Sequence, residues 1–415
     1  MNWLHLSITL VAMSGLVWLA RRLSGFAFLP YPTLLLLAGF FGSEALVYAG
    51  VDTGLRWGWF RDLVYFVLLP LLVYEAAFRL NAACLLQNMV VVMLLAIPLM
   101  LVGVLLTAVL LYLGIDHASG FPVVAALITA ALVSTNDPAA VTRVLEGIQV
   151  PARLASLLEG ESLFNSIIAL VLVSLALQVE MHDVRVSDGI GFLQGFILFV
   201  RLFTGGVLTG LAVGLAGWVL LHVARLPVLR AVFSVLLAYG AFLVADQLFR
   251  VSGVVAVLTA GLVLNAYAQR TDQLSRRMLE RCWQWSAALT GTMLFLLLGM
   301  SVYLPLLLGQ WKAVLLAIAA VLLARAVIVF AGLGLYGKVA GEDAVTLQEQ
   351  IPLFWGGIKG AVTVALLFAL PEALEYSGTI LAMVYGVVLF SLLVQAPGLR
   401  ALLLYRTRRQ EAVRE

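Results

Sequence analysis

Apolar segments recur along nearly the whole chain, from Trp3 to Leu404, and no polar interval between them is long enough to fold separately. Hydrophobic residues make up 63% of the sequence and charged residues 11%, whereas soluble domains contain roughly half apolar and a quarter charged residues. A water-soluble fold of this length could not bury so much apolar surface. The sequence therefore predicts one all-α integral membrane domain over residues 1–415, with a short basic tail at 405–415.

A membrane-spanning helix needs about 20 apolar residues, and this requirement predicts about thirteen spans. The seventh segment is long enough to be a tilted helix or to contain a break. Because Arg21 and Arg22 follow the first apolar stretch, we interpret it as a span and not as a signal peptide. The predicted spans lie at roughly 3–20, 27–49, 60–78, 86–113, 121–143, 151–179, 189–222, 229–248, 251–268, 280–303, 313–336, 348–370 and 378–404.

The basic residues predict the orientation, because cytoplasmic loops are enriched in Lys and Arg. With the N-terminus outside, one side receives only Arg56, Arg61, Arg185, Arg250 and Lys312, and most other basic residues fall on the cytoplasmic side. We expect a multi-pass protein of the bacterial inner (plasma) membrane with a cytoplasmic C-terminus. The tail from Arg406 could instead bind a separate partner. The net charge of +3 does not form the single basic face that nucleic acid requires.

A few ionisable residues lie within the apolar runs, where each is costly unless it meets a partner or water. Such residues indicate an ion or proton pathway by default. Arg201 and Asp246 lie near predicted span boundaries, so pairing or snorkelling is the favoured interpretation for these two. The full set is Glu75, Asp137, Glu161, Arg201, Asp246, Arg325 and Lys359.

Neither cofactor binding nor enzymatic activity is expected. Cys84 and Cys282 lie far apart, with no second Cys or His at ligand spacing, so neither a disulfide framework nor a zinc site is indicated. We recognise no nucleophile–base pair, phosphate-binding loop or nucleotide motif.

The fifth predicted span contains a polar interruption that ends in a proline. Pro138 lacks a backbone donor, and unwound backbone at membrane depth must line a cavity or lie within protein. Thr135, Asn136 and Asp137 would supply hard oxygen ligands and one negative charge, which suit a monovalent cation. The alternative is a proline-kinked helix in which Asp137 only caps the following turn.

The sixth and twelfth predicted spans carry two further polar features. Glu161 and Asn165 are four residues apart and share a helix face, with Ser162 and Ser166 beside them; hydrogen bonding between helices is the alternative role for the serines. In the twelfth span, three glycines surround Lys359 and permit either a break or close packing. Breaks in the fifth and twelfth spans predict two inverted halves, spans 1–6 and 8–13, linked by span 7, with the site where the broken helices cross.

Five segments, taken in order, resemble motifs of the cation:proton antiporter-1 family, the sodium/proton exchangers that include bacterial NhaP-type proteins and animal exchangers. Residues 69–76 resemble the family's Leu-Pro-Pro-Leu-Leu-Phe-Glu run, and residues 136–141 resemble its Asp-Pro motif. Residues 161–165 are similar to the start of its Glu-Ser-Leu-Leu-Asn-Asp signature. Residues 252–257 and 355–360 resemble two later motifs.

The resemblance implies a fold in which Asp137 and the polar groups before it lie at the crossing of two unwound helices. It implies that Glu161 pairs with Arg325 and holds the sixth helix against the eleventh. It also implies a homodimer of thirteen-helix protomers, each with a dimerisation domain and a moving core domain.

This chain departs from the family pattern at three positions. Ser166 stands where the family has its main cation-binding aspartate, Lys359 stands where the family has an arginine between glycines, and Gln284 stands where many members have an acidic residue. A serine hydroxyl can ligate a cation, but it cannot exchange a proton near neutral pH. The competition between a cation and a proton for one carboxylate, which is usual in the family, is therefore lost at position 166.

The preferred hypothesis is exchange of a monovalent cation for H⁺ across the lipid bilayer by alternating access, with Na⁺ the first choice over K⁺ or Li⁺. Lys359 would act as a counter-charge or as a proton carrier, and Glu75 would lie on the pathway. The rival hypothesis is a non-exchanging relative, such as a gate, a sensor or a subunit of a membrane complex. The residues predicted to bind the cation or proton are Asp137, Asn136, Thr135, Asn165, Ser166 and Ser162.

Overall fold

The computed structural model describes residues 31–48, 63–79, 88–115, 121–181, 190–301, 304–341, 344–368 and 376–414, together with positions 15, 17, 22, 370 and 374. Several sequence predictions lie outside these residues. They are most of the first span, the beginnings of the second and third spans, and Cys84.

Every regular element in the described part of the chain is helical. The α-helices, numbered in chain order, are α1 Tyr31–Tyr48, α2 Leu69–Arg79, α3 Met89–Leu94, α4 Met100–Gly114, α5 Val123–Ser134, α6 Pro138–Leu145, α7 Ala152–Met181, α8 Ile190–Val223, α9 Pro227–Leu243, α10 Gly253–Arg270, α11 Gln273–Ser301, α12 Leu304–Gly309, α13 Trp311–Ala326, α14 Leu333–Ala340, α15 Leu347–Trp355, α16 Ala361–Phe368, α17 Ser377–Phe390 and α18 Ala396–Arg414. π-Helical turns occupy Leu63–Leu68, Leu95–Leu99, Val244–Leu248, Val327–Gly332 and Ser391–Gln395.

Several of these helices are suited to a membrane. By length and composition, five helices among the described residues could cross a bilayer, and Leu63–Phe78 and Val123–Ser134 are shorter apolar helices. The five are Met89–Gly114, Val200–Val223, Pro227–Leu248, Trp311–Lys338 and Ser377–Thr407.

The fifth and twelfth predicted spans are both interrupted, as the sequence predicts. The fifth span is divided into α5 and α6, and the twelfth into α15 and α16. The seventh span is one continuous helix of 34 residues, α8, without a break. The total number of membrane crossings stays a prediction.

The chain divides into two units. The first comprises Met1–Arg61, Ala83–Ser166 and Thr292–Glu415, and the second comprises Asp62–Ala82 and Ile167–Gly291. In the first unit, α1 and the end of α11 approach closely at two glycines. A Cβ atom on Gly299 would lie 2.9 Å from both the Leu36 carbonyl carbon and the Phe40 nitrogen. Only a residue without a side chain allows this contact between backbones.

The second unit is also held by close helix packing. A Cβ atom on Gly210 of α8 would lie 2.9 Å from the Ala256 Cα atom of α10. The rings of Tyr74 and Trp283 stack with their centroids 4.0 Å apart, and the indole N–H of Trp283 donates to Ser234 Oγ at 3.1 Å. These contacts involve backbone and aromatic groups and give the unit a well-packed interior.

Three ionisable residues singled out in the sequence belong to the second unit. Glu75 is buried on α2. Arg201 is exposed on α8. Asp246 accepts hydrogen bonds from Tyr65 at 3.2 Å and from Gln247 at 2.6 Å. These contacts favour a structural role for Asp246.

Candidate functional site

The two broken helices are bonded to each other through their unwound segments. α5 ends at Ser134 and α6 begins at Pro138, while residues 356–360 separate α15 from α16. The backbone N–H of Asp137 donates to the carbonyl of Ile358 at 2.8 Å. A break in a helix leaves backbone N–H and C=O groups without helical partners, and buried groups of this kind need hydrogen bonds. Here an N–H of one unwound segment donates to a carbonyl of the other.

The residues at the breaks explain why the helices stop there. Proline disfavours helical geometry at the residue before it, and Pro138 acts on Asp137 in this way. In the second segment, close contacts require glycine. A Cβ atom on Gly357 would lie 3.1 Å from Arg325 Nε. A Cβ atom on Gly360 would overlap the Asp137 carboxylate and lie 2.9 Å from its Cγ.

Asp137 lies between the N-termini of two half-helices and is fully buried, with an exposure of 0%. Its Oδ1 accepts from the backbone N–H of Ala140 in α6 at 3.3 Å, and its Oδ2 accepts from that of Ala361 in α16 at 2.6 Å. A helix N-terminus carries partial positive charge and binds anions. Asp137 therefore accepts hydrogen bonds from the first turns of both half-helices, and not only from the turn that follows it in the sequence.

A buried ion pair lies on one side of the crossing. Both guanidinium NH₂ groups of Arg325 donate to Glu161, Nη1 to Oε1 and Nη2 to Oε2, the latter at 2.9 Å. Arg325 Nη2 also donates to the carbonyl of Leu353 at 2.6 Å. The contacts connect α7, α13 and α15. Because a buried charge is strongly destabilising without its partner, the pair fixes these three helices around the site.

Lys359 is joined to this ion pair through two asparagines. Its Nζ donates to Asn136 Oδ1 at 2.7 Å. The amide groups of Asn136 and Asn165 both donate to Glu161 Oε1, at 3.3 and 3.1 Å. Asn165 Oδ1 is buried and has no hydrogen-bond partner among the described residues. The network thus contains one buried oxygen that is available to a ligand.

The hydroxyl groups predicted at the site bond to backbone and to each other. Ser166 Oγ donates to the Asn136 carbonyl, and it also lies 2.8 Å from the Ser162 carbonyl. Ser162 Oγ donates to the Leu158 carbonyl at 2.7 Å, within α7. Thr135 Oγ1 donates to Leu132 O at 2.7 Å and shares a short hydrogen bond with Thr363 Oγ1.

A small cavity of about 30 Å³ borders the network. A water molecule needs roughly 10–15 Å³ measured in this way, so the cavity can hold a water or a small dehydrated ion. Its polar lining consists of Thr107, Ser134, Asn136, Asn165, Arg325 and Lys359. Its apolar lining consists of Leu95, Met100, Gly103, Val133, Val321, Ala324 and Ile328.

The structure therefore brings together most of the predicted site residues. Thr135, Asn136, Asp137, Asn165 and Ser166 lie at the crossing with the three charged residues Glu161, Arg325 and Lys359. The hydroxyl of Ser162 bonds within its own helix. Glu75 belongs to the other unit, and its place on a pathway stays a prediction.

The sequence reasoning missed Thr363, Ser391 and Gln395 beside the crossing, and Thr107 and Ser134 in the lining of the cavity. Ser391 Oγ accepts from the backbone N–H of Lys359 at 2.8 Å and donates to Gln395 Oε1 at 2.7 Å. Ser391 and Gln395 are four residues apart in an apolar span, the same spacing that singled out Glu161 and Asn165. Searching for uncharged polar pairs as well as ionisable residues would have found them.

Two broken helices that are bonded at their unwound segments, around a buried polar cluster, are typical of secondary transporters. The family described as "Sodium/hydrogen exchanger, transmembrane" matches residues 8–405, and the chain belongs to this family. This result confirms the resemblance found in the motifs.

Two relatives and one solved structure show the extent of the similarity. The Na(+)/H(+) antiporter ApNhaP of Aphanothece halophytica is 31% identical over 390 residues, which cover 94% of this chain and 72% of that protein. The low-affinity Na(+)/H(+) antiporter NhaS1 of Synechocystis sp. is 31% identical over 402 residues, with coverages of 94% and 71%.

The sodium proton antiporter MjNhaP1 from Methanocaldococcus jannaschii superimposes with a TM-score of 0.77 at 20% identity, over 95% of this chain and 100% of that one. This match confirms the predicted fold class.

Proposed function

We propose that this protein exchanges a monovalent cation, Na⁺ in the first instance, for H⁺ by alternating access. The observation that carries the proposal is the buried carboxylate of Asp137, which lies between two half-helix N-termini at the crossing. The relatives named as Na(+)/H(+) antiporters support the choice of ions.

Asp137 would couple the two ions because one carboxylate cannot be neutralised by both at once. Removal from water favours a neutralised carboxylate, whereas hydrogen bonds from backbone amides favour the free anion. These opposing effects allow either a proton or a cation to bind and to leave. A cation bound on one face would be released on the other when a proton replaces it.

Neighbouring oxygens would complete the cation's ligand set. Asn165 Oδ1 is the strongest candidate because it is buried and has no hydrogen-bond partner among the described residues. The proton of Ser166 Oγ points to a carbonyl, so the oxygen lone pairs can face a cation. Thr135 and Asn136 would contribute oxygens from the unwound segment, and Ser162 would support Ser166 from the same helix.

Lys359 offers a second version of the coupling. Asp137 and Glu161 balance Arg325 and Lys359 when all four are charged, so a bound cation adds one positive charge. Loss of a proton from Lys359 would restore neutrality, and lysine can lose its proton whereas arginine cannot. If Lys359→Arg leaves the rate and the pH dependence of exchange unchanged, this version is wrong and Lys359 is a fixed counter-charge.

The same proposal includes an assembly and an orientation. We propose a homodimer with the N-terminus outside and the C-terminus in the cytoplasm, in a bacterial inner membrane. Each protomer would have about thirteen spans, with spans 1–6 and 8–13 as inverted halves and span 7 as the linker. The observed breaks at corresponding positions in the two halves support this arrangement.

Reconstitution in liposomes tests exchange against the rival, non-exchanging role. Purified protein would be placed in vesicles with an imposed pH gradient, and Na⁺, Li⁺ or K⁺ would then be added. An exchanger dissipates the gradient only when a transported cation is present, and the order of responses gives its selectivity. A gate, a sensor or a complex subunit would have lost exchange activity when serine replaced the family aspartate at position 166. Such a protein would leave the gradient intact with all three ions.

A further inference from the structure

Lys359 is anchored through its backbone as well as through its ammonium group. It lies in the unwound segment 356–360, where a backbone N–H has no helical carbonyl to bond. A buried N–H without a partner is as unfavourable as a lost hydrogen bond. Here the N–H donates to Ser391 Oγ at 2.8 Å. Ser391 therefore holds the backbone of Lys359 in place, and with it the Cα atom that carries the lysine side chain.

Gln395 in turn fixes the orientation of Ser391. The Ser391 hydroxyl donates to Gln395 Oε1 at 2.7 Å, and the two residues are 0% and 3% exposed. A hydroxyl has one proton. Because Ser391 donates that proton to Gln395, an oxygen lone pair remains to accept from the backbone N–H of Lys359. Without this acceptor, a helical serine turns its proton towards the carbonyl four residues earlier.

Both residues belong to a π-helical turn, Ser391–Gln395, that is held from two sides. The carbonyl of Leu392, inside the turn, accepts from Thr33 Oγ1 of α1 at 2.7 Å. Further along, a Cβ atom on Gly398 would lie 3.1 Å from the ring of Trp355, the last residue before the unwound segment. π-Helical turns are frequent at functional sites, and this turn contacts the unwound segment through the hydrogen bond from the Lys359 N–H to Ser391 Oγ.

We propose that Ser391 and Gln395 are positioning residues for cation exchange, which set where Lys359 Nζ lies relative to Asn136 Oδ1. The inference rests on the proposed function. Lys359 Nζ reaches Asn136 Oδ1 at 2.7 Å from this backbone position, and the flexible four-carbon stem of lysine does not fix the ammonium group by itself. A shifted backbone position would change the separation between the ammonium group and the oxygens that receive the cation.

The first test removes each hydrogen-bonding group and measures exchange in proteoliposomes. We expect Ser391→Ala and Gln395→Leu to change the Na⁺ concentration for half-maximal exchange by about fivefold, the equivalent of one net hydrogen bond. The maximal rate should stay within about twofold, and Ser391→Thr should behave as the unmodified protein. Ser301→Ala is the matched control, because its hydroxyl bonds to Tyr385 of α17 at 2.7 Å and to the Leu298 carbonyl at 2.8 Å, neither of which bonds to Lys359.

A double-mutant cycle shows whether Ser391 acts through the lysine side chain. In a Lys359→Met background, Ser391→Ala should change the apparent Na⁺ affinity by less than about twofold, since coupled residues are not additive. If Lys359→Met stops transport, the affinity is measured from Na⁺-dependent thermal stabilisation of the purified protein. A fivefold effect that persists in this background contradicts the inference, as does an unchanged affinity in both single variants.

These experiments distinguish a failure of the positioning role from a failure of the proposed function. Absence of H⁺ flux with Na⁺, Li⁺ and K⁺ alike in the unmodified protein would refute exchange itself. Normal flux in that protein, with Ser391→Ala and Gln395→Leu indistinguishable from Ser301→Ala, would refute only the positioning role. Melting temperatures establish which variants are folded, and Gln395→Leu, which keeps the serine in place, tests the role if Ser391→Ala does not fold.

Discussion

Gly360→Ala should slow exchange about 100-fold, because the single added methyl group displaces one carboxylate. A Cβ atom at this position would overlap Asp137 Oδ2 and lie 2.9 Å from both Asp137 Cβ and Cγ, inside the 3.4 Å of an ordinary contact. Because Oδ2 also accepts the 2.6 Å hydrogen bond from Ala361, the carboxylate cannot recede without losing that bond. A displacement of about 1 Å at a reacting group reduces rates by about 100-fold.

The assay is Na⁺-dependent dissipation of a pH gradient in proteoliposomes, normalised to the amount of folded protein. Gly334→Ala in α14 is the matched control, because a Cβ atom there would meet no described atom within 4 Å. Alanine should also favour the helix at this control position. If folded Gly360→Ala protein exchanges at half the rate of Gly334→Ala protein or faster, the geometry of Asp137 is not the basis of exchange.

Three further predictions concern stability. Glu161→Gln leaves Arg325 buried without its counter-charge and should destabilise the fold by about 3–5 kcal/mol in denaturant titrations; a loss below 1 kcal/mol would contradict a tightly held pair. Gly299→Ala separates two backbones and should lower the free energy of unfolding by about 1–3 kcal/mol, whereas an unchanged melting temperature would refute that close contact. Hydrogen bonds from Ser275 lower the pKa of Asp272 from 3.8 to about 2. The stabilisation of the fold by these hydrogen bonds is therefore complete above about pH 4 and lost as the pH falls towards 2. Asp272→Asn should remove this part of the dependence of the melting temperature on pH, and an unchanged dependence would contradict the prediction.

The breaks at the crossing were predictable because proline and glycine act locally. Pro138 lacks a backbone donor and restricts Asp137 before it, so the first break follows from the sequence alone. The glycines around Lys359 left two possibilities, a break or close packing. Both occur: the helix is interrupted at 356–360, and Gly360 lies against the Asp137 carboxylate.

The partners of the charged groups were less predictable. The pairing of Glu161 with Arg325 followed from the family resemblance, because no local pattern joins residues so far apart in the sequence. The hydrogen bond from Ala361 to Asp137 involves a backbone N–H, which every residue except proline carries and no side-chain pattern reveals. The π-helical turn at Ser391–Gln395 likewise accepts a hydrogen bond from Thr33 through the Leu392 carbonyl, and local propensity does not encode a contact between such distant parts of the sequence.

Simultaneous measurement of Na⁺ uptake and H⁺ release in proteoliposomes tests the central claim most directly, with the unmodified protein compared with Asp137→Asn. The account predicts that both fluxes occur together in the unmodified protein and that both stop in Asp137→Asn, although that variant remains folded. Coupled fluxes that continue undiminished in Asp137→Asn would contradict the claim that this carboxylate carries the exchange.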